Sequence, residues 1–95
     1  SLHDALPISM EELDVLLNRS ELPLYGAALS ERAEDIRTIG LSGNRCAVAI
    51  GSEGRGLSAE LLGLCDSELV IPMRGEAESL NAAVAAAIVM WEMGR

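Results

Sequence analysis

The 95 residues predict an α/β domain, and three stretches carry that prediction. Ala47 to Ser58, AVAIGSEGRGLS, joins a short apolar strand to three glycines and then to a helix start. Glu68 to Ile71 is a second short strand, stopped by Pro72, whose ring removes the next backbone donor. From Ser79 onward runs a helix with an unbroken apolar stretch, Ala82 to Trp91, and so with no polar stripe. A strand that ends in a glycine loop and leads into a helix describes a ligand cradle at the carboxyl edge of a sheet.

Taken in order, the chain begins with Ser1 to Ile8, which lacks periodicity and reads as a tail, cut or artificially started; His3 lies there and is assigned no catalytic role. Ser9 and Glu12 have capping-box spacing, and Met10, Leu13, Leu16 and Leu17 recur on one helical face, which predicts a helix ending near Asn18. Leu22 to Leu29, LPLYGAAL, reads as a strand with Pro23 at its start or on an edge. Ser30 to Leu41 is polar, with Ser30 a candidate N-cap for a short helical turn through Ile36. Gly40, Ser42, Gly43 and Asn44 form a loop that delivers the chain to a strand over Cys46 to Ile50. Gly51, Gly54 and Gly56 let the backbone turn sharply and lie close to a ligand, and Ser58 is the expected N-cap of a helix over Ala59 to Leu64. Met73 to Glu78 is a second loop, after which Ser79 is expected to cap the final helix. Asn81 falls in that helix's first turn, where asparagine is a poor helix former, and this favours a functional role. With no polar stripe, the final helix is expected to be buried on most sides.

Composition sets the limits. A chain this short is at most one small domain with a modest core. There is no Phe, and only Tyr25 and Trp91 are aromatic, so the core must come from Leu, Ile, Val, Ala and Met. The longest apolar run is far below the roughly 20 residues of a membrane span, so no membrane partner is expected. Two cysteines, Cys46 and Cys65, without a secretory signal predict reduced thiols in a cytoplasmic protein. Four zinc ligands of suitable type are not available, so no metal is expected. The net charge is −8 and lysine is absent; acidic residues outnumber basic ones eight to four in Ser1 to Arg45 and seven to three in Cys46 to Arg95. Nucleic-acid affinity normally comes from Lys and Arg at phosphates. Any RNA contact must therefore rest on local arginines, of which Arg55 and Arg74 in the two loops are the candidates, or on a part of the protein not present here.

By spacing alone the first loop is neither G-x-x-x-x-G-K-[ST] nor G-x-G-x-x-G, and a tight turn between strand and helix would account for it. The two stretches together say more. Gly51-Ser52-Glu53-Gly54-Arg55-Gly56-Leu57, then Ile71-Pro72-Met73-Arg74-Gly75 and Ser79-Leu80-Asn81, resemble the paired motifs of the SpoU (TrmH-like) RNA ribose 2'-O-methyltransferases of the SPOUT class. The resemblance covers about the last half of the chain strongly and the rest weakly. It implies a SPOUT-type α/β knot, a deep trefoil made by threading the C-terminal segment through a loop, against the general rule that chains do not knot. Residues 9–95 would then be the C-terminal part of the methyltransferase domain, truncated at its N-terminal side.

The resemblance also implies S-adenosylmethionine as cofactor, rRNA or tRNA as substrate, and a homodimer that covers part of the final helix. Carried over by motif position, cofactor contacts fall on Gly51, Ile71 and Leu80, with Glu53, Gly54 and Met73 adjacent. Glu53, Ser79 and Asn81 are the catalytic candidates, and Arg55 and Arg74 the RNA-binding ones. Each has a plainer alternative: turn formation for the glycines, core packing for Ile71 and Leu80, helix capping for Ser79, solvation for the arginines. One departure from the family's pattern matters. An N-x-G-x-x-x-R-like segment, with the arginine that helps activate the ribose hydroxyl, belongs well before Ser9 and is missing. A 2'-hydroxyl is a weak nucleophile near neutral pH, so methyl transfer needs that activation as well as alignment. The expectation is a cofactor-binding C-terminal half, inactive alone; the rival reading is a non-catalytic nucleotide-binding or interaction module built on the same loop.

Overall fold

A computed structural model describes residues 7–28, 30–52, 55–73 and 81–95 of the chain. Helix α1 (Met10–Ser20) begins where the capping-box spacing puts it. Ser9 Oγ accepts from Glu12 N at 3.0 Å, and Glu12 Oε1 accepts from Ser9 N at 3.2 Å. The helix runs to Ser20 rather than Asn18, and Glu21 ends it in a left-handed conformation, φ 54°, that returns its amide toward Asn18 O.

Four strands, β1 (Leu24–Ala27), β2 (Glu34–Asp35), β3 (Ala47–Ala49) and β4 (Ser67–Val70), form one parallel sheet in the order β2-β4-β1-β3. β1 is interior, with Tyr25 opposite Val48 on one side and Ser67 on the other. Pro23 therefore lies at the start of a central strand and not on an edge; its carbonyl accepts from Ala47 N at 2.9 Å. Asp66 ties the start of β1 to the entry of β4 in both directions, since its Oδ2 accepts from Leu24 N and its own N donates to Leu24 O, each at 2.8 Å. β4 is displaced by one residue from the expected Glu68 to Ile71.

The helical turn expected from Ser30 to Ile36 is not formed. A single turn closes at Ala33 N to Ser30 O, 3.2 Å, and the chain then pairs as β2 along β4, extended by Ile36 N to Val70 O at 2.9 Å. Asp35 ends the strand by accepting from Arg37 N at 2.8 Å, a local competitor for the helical pattern. The chain from 36 to 46 then passes from the β2 edge to the β3 edge.

Alternation sorts the sheet's two faces. Tyr25, Ala27, Val48, Leu69 and Ile71 pack with Ile36, Leu41 and Val89, and Leu69 at the centre is fully buried. Val89 belongs to the final helix, α3 (Ala82–Gly94), so α3 and the 36–46 crossing share one face of the sheet. On the opposite face Leu57 and Cys65, which flank helix α2 (Ala59–Leu64), approach Gly26, and α1 packs beside α2. Ser58 caps α2 as expected, accepting from Leu61 N at 3.1 Å.

Two expectations for α3 need correction. Its N-cap is Asn81, whose Oδ1 accepts from Ala83 N at 2.8 Å, and not Ser79. The sequence signal pointed to serine because Ser79 precedes the apolar run, but asparagine caps equally well and stands next to it. Nor is α3 buried on most sides: Ala85 and Val89 are buried, while Val84, Met90 and Trp91 are 47%, 62% and 71% exposed. An apolar run records that a helix is to be covered, and the described residues bury one side of it.

Candidate functional site

The two loops singled out by their glycines and prolines leave the carboxyl ends of β3 and β4, the strands that flank β1. Ligands of open parallel sheets bind outside such ends, where neighbouring connections diverge. The first loop folds back on itself. Ser52 and Gly56 form an isolated antiparallel bridge, Gly56 N donates to Ser52 O at 2.9 Å, and Gly56 has a left-handed φ of 65°. Gly51 sits against this turn so closely that a Cβ on it would lie 2.7 Å from Gly56 Cα and nearer still to the Gly56 carbonyl. The end of β3 is thus bare backbone because nothing larger fits.

The second loop begins at Ile71, which is half-buried at the edge of the core, and continues through Pro72 to Met73, whose side chain is 40% exposed. Asn81 closes it at the head of α3, with its carbonyl oxygen committed to the cap. Gly51, Ile71 and Met73 therefore follow the carboxyl ends of β3 and β4, and Asn81 heads α3. Arg55 is exposed on the first loop. Glu53, Gly54, Arg74, Ser79 and Leu80 lie outside the described residues.

Among the described residues, an ion pair marks this edge. Beyond β2, Arg37 grips Asp35 through two nitrogens, Nε to Oδ1 at 3.0 Å and Nη2 to Oδ2 at 2.6 Å. These bonds hold the Asp35 carboxyl below its usual range and raise the Arg37 guanidinium. Burial pushes both thiols up, and for Cys65 the nearby Glu68 and Asp66 carboxylates add to it. A concavity of about 410 Å³ opens elsewhere, at the amino edge of the strands, lined by the carboxylates Asp14, Glu21 and Asp66 among others. It is remote from both loops and ill-suited to an anionic ligand.

The motif reading passes over Gly26. It lies in the middle of β1, and a Cβ there would meet Cys65 Sγ at 2.8 Å and Leu57 Cδ1 at 2.9 Å. The signal was available, because an isolated glycine inside a strand marks a close approach to its backbone. Leu57, the last residue of the first motif, is what approaches.

A family model described as the SpoU rRNA Methylase family matches residues 3–91. The tRNA (guanosine(18)-2'-O)-methyltransferase of Thermus thermophilus is 42% identical over 72 residues, 76% of this chain and 37% of that enzyme. Among solved structures, the A. aeolicus TrmH/SpoU tRNA modifying enzyme superposes with a TM-score of 0.77 at 26% identity, over 93% of this chain and 44% of its own. The SpoU methyltransferase AviRb from Streptomyces viridochromogenes, in complex with the cofactor AdoMet, gives 0.76 at 32% identity, over 92% of this chain and 35% of its own. The chain thus spans between about a third and a half of the length of these proteins.

Proposed function

The chain belongs to the SpoU rRNA Methylase family, and on that premise we propose that it is the cofactor-binding C-terminal part of an RNA ribose 2'-O-methyltransferase that uses S-adenosylmethionine. The observation that carries the reading is the bare backbone at Gly51, just past the carboxyl end of β3, with the half-buried Ile71 and exposed Met73 just past the same end of β4. Such a site suits a flat, largely apolar base held through backbone amides. Its likeness to the AdoMet-bound AviRb supports the same choice.

When bound, S-adenosylmethionine supplies a methyl group on a cationic sulfur, open to attack by a ribose oxygen. In the proposal Gly51 and Gly54 present backbone to the cofactor, Ile71, Met73 and Leu80 line its apolar side, and Glu53 satisfies loop amides or orients an arginine. Asn81 caps α3, and Ser79 is assigned a catalytic role beside it in sequence. With Oδ1 engaged in the cap, the group Asn81 is proposed to offer to substrate is its amide Nδ2–H, a donor. Arg55 and Arg74 take the RNA phosphates.

We further infer a trefoil knot, a homodimer and a cytoplasmic location. The knot is supported by the contact of the 36–46 crossing with α3 in one cluster, as threading requires. The dimer is supported by the exposed apolar side of α3, Val84, Met90 and Trp91. Among the described residues no helix is long and apolar enough to cross a membrane. Without an arginine to activate the hydroxyl, the 95 residues are proposed to bind cofactor and not to methylate RNA.

Calorimetric titration with S-adenosylhomocysteine, set against AMP and ATP, tests the function. Saturable binding of the homocysteine derivative alone is expected. Preference for the nucleotides would replace the reading with that of a non-catalytic nucleotide-binding module.

A further inference from the structure

The first loop is closed on itself by backbone, at Gly51 and the Ser52–Gly56 bridge, but its attachment to the sheet is a side chain. Leu57 ends the loop just before the Ser58 cap and reaches the one place on β1 where Gly26 leaves backbone uncovered. Cys65 fills the other half of the same gap and is itself fixed, its Sγ donating to Leu61 O at 3.3 Å. The floor beneath is rigid, since β1 is paired on both sides and pinned by Asp66.

We propose that Leu57 is a positioning residue: seated on Gly26 against Cys65, it fixes the first loop over the strand ends and so sets that loop's affinity for its ligand. The ligand's identity rests on the function proposed above, whereas the anchoring rests on the Gly26 geometry alone. The physical ground is that loops open locally at little cost, and a loop that must be ordered on binding loses that free energy from its affinity. An apolar side chain held in a gap of its own shape orders the loop beforehand.

Two measurements separate anchoring from ligand choice. Hydrogen exchange at the Gly56 amide, bonded to Ser52 O, reports the loop without ligand. Calorimetry with S-adenosylhomocysteine reports the consequence. Leu57→Ala is expected to speed Gly56 exchange and weaken binding about tenfold, with β1 amides still protected. Leu57→Met, which refills the gap with a flexible chain of similar volume, restores both. In Gly26→Ala with Cys65→Ala only Leu57 has to give way, so the same loop signature is expected, and adding Leu57→Ala to that pair changes little more because the contact is already lost. Unchanged Gly56 exchange in Leu57→Ala, or unchanged affinity once exchange has quickened, overturns the proposal. If exchange responds to Leu57 but the wild-type chain binds no S-adenosylhomocysteine, the anchoring stands and the cofactor reading falls.

Discussion

Replacing Gly51 by alanine tests the first loop where it has no room. The added Cβ would meet the Gly56 Cα at 2.7 Å, and the Gly56 carbonyl closer still, and none of these atoms can swing aside because all are backbone. The loop must open, releasing the Ser52–Gly56 bridge and its 2.9 Å hydrogen bond. That bond contributes about 1 kcal/mol net, and backbone shifts forced by an extra carbon cost about 1–3 kcal/mol. Closing would regain the bond, so the closed loop lies above the open one by up to about 2 kcal/mol, a fall of up to roughly thirtyfold in cofactor affinity. The loop lies beyond the paired residues of β3, so the melting temperature should drop by no more than the bridge is worth, about 4–8 °C for a chain of this size. Gly63→Ala is the matched control: a Cβ on Gly63 meets nothing within 4 Å, and inside α2 it should stabilise by about 0.5–1 kcal/mol and leave binding alone. Calorimetry with S-adenosylhomocysteine and a thermal melt on each variant decide the matter. Wild-type affinity in Gly51→Ala would show that the bare strand end is a turn requirement with no part in binding.

Trp91→Glu places a charge on the most exposed large apolar side chain of α3 and should turn a concentration-dependent dimer into a monomer in sedimentation; a wild-type chain that is monomeric at every concentration would refute the dimer. Asn81→Ala should cost about 1 kcal/mol through the lost cap, whereas Asn81→Asp keeps the cap acceptor and removes the amide donor. In a complete homologous chain the Asp variant should therefore stay stable and still transfer methyl groups more slowly, and an unchanged rate would reduce Asn81 to a cap. Burial raises the Cys46 and Cys65 thiols, so the folded pKa lies above the unfolded one near 8.5. Their contribution to stability is complete below the unfolded value and declines as pH rises through the folded one. Alkylation by iodoacetamide should accordingly show a higher pH midpoint in the folded chain than in urea, and coincident midpoints would contradict the burial.

What the sequence made legible is local. The capping box at Ser9 and Glu12 and the Ser58 cap each involve atoms three residues apart, so pattern suffices to place α1 and α2. β2 was illegible for the converse reason: Glu34 and Asp35 are strand because they lie beside Leu69 and Val70, which come more than thirty positions later. The cap of α3 falls two positions after Ser79, on Asn81, which therefore lies outside the helix at a position that favours asparagine, and not in a first turn that disfavours it. At the site, Gly51 was legible as a glycine but its reason was not, since the obstacle is the backbone of Gly56. Leu57 carried no signal beyond its place in the motif, because the gap it fills is thirty-one residues away in β1.

The net charge of −8 is spread over both edges of the sheet, and they bear unequally on an RNA substrate. Asp66 stands at one end of β4 and Ile71 at the other, a span of about 16 Å at roughly 3.3 Å per residue. At physiological salt a charge is felt over about 8 Å, so Asp66, with Asp14 and Glu21 beside it in the amino-edge concavity, is screened from the two loops. At the loop edge itself Asp35 is paired with Arg37, while the loop sequences carry Glu53, Glu76 and Glu78 against Arg55 and Arg74. What an approaching phosphate meets there depends on the local groups, with exposed Arg55 among them. A charge count over the whole chain averages two edges that the strands hold apart, and the edge that bears the glycine loop is the one on which RNA affinity has to be judged.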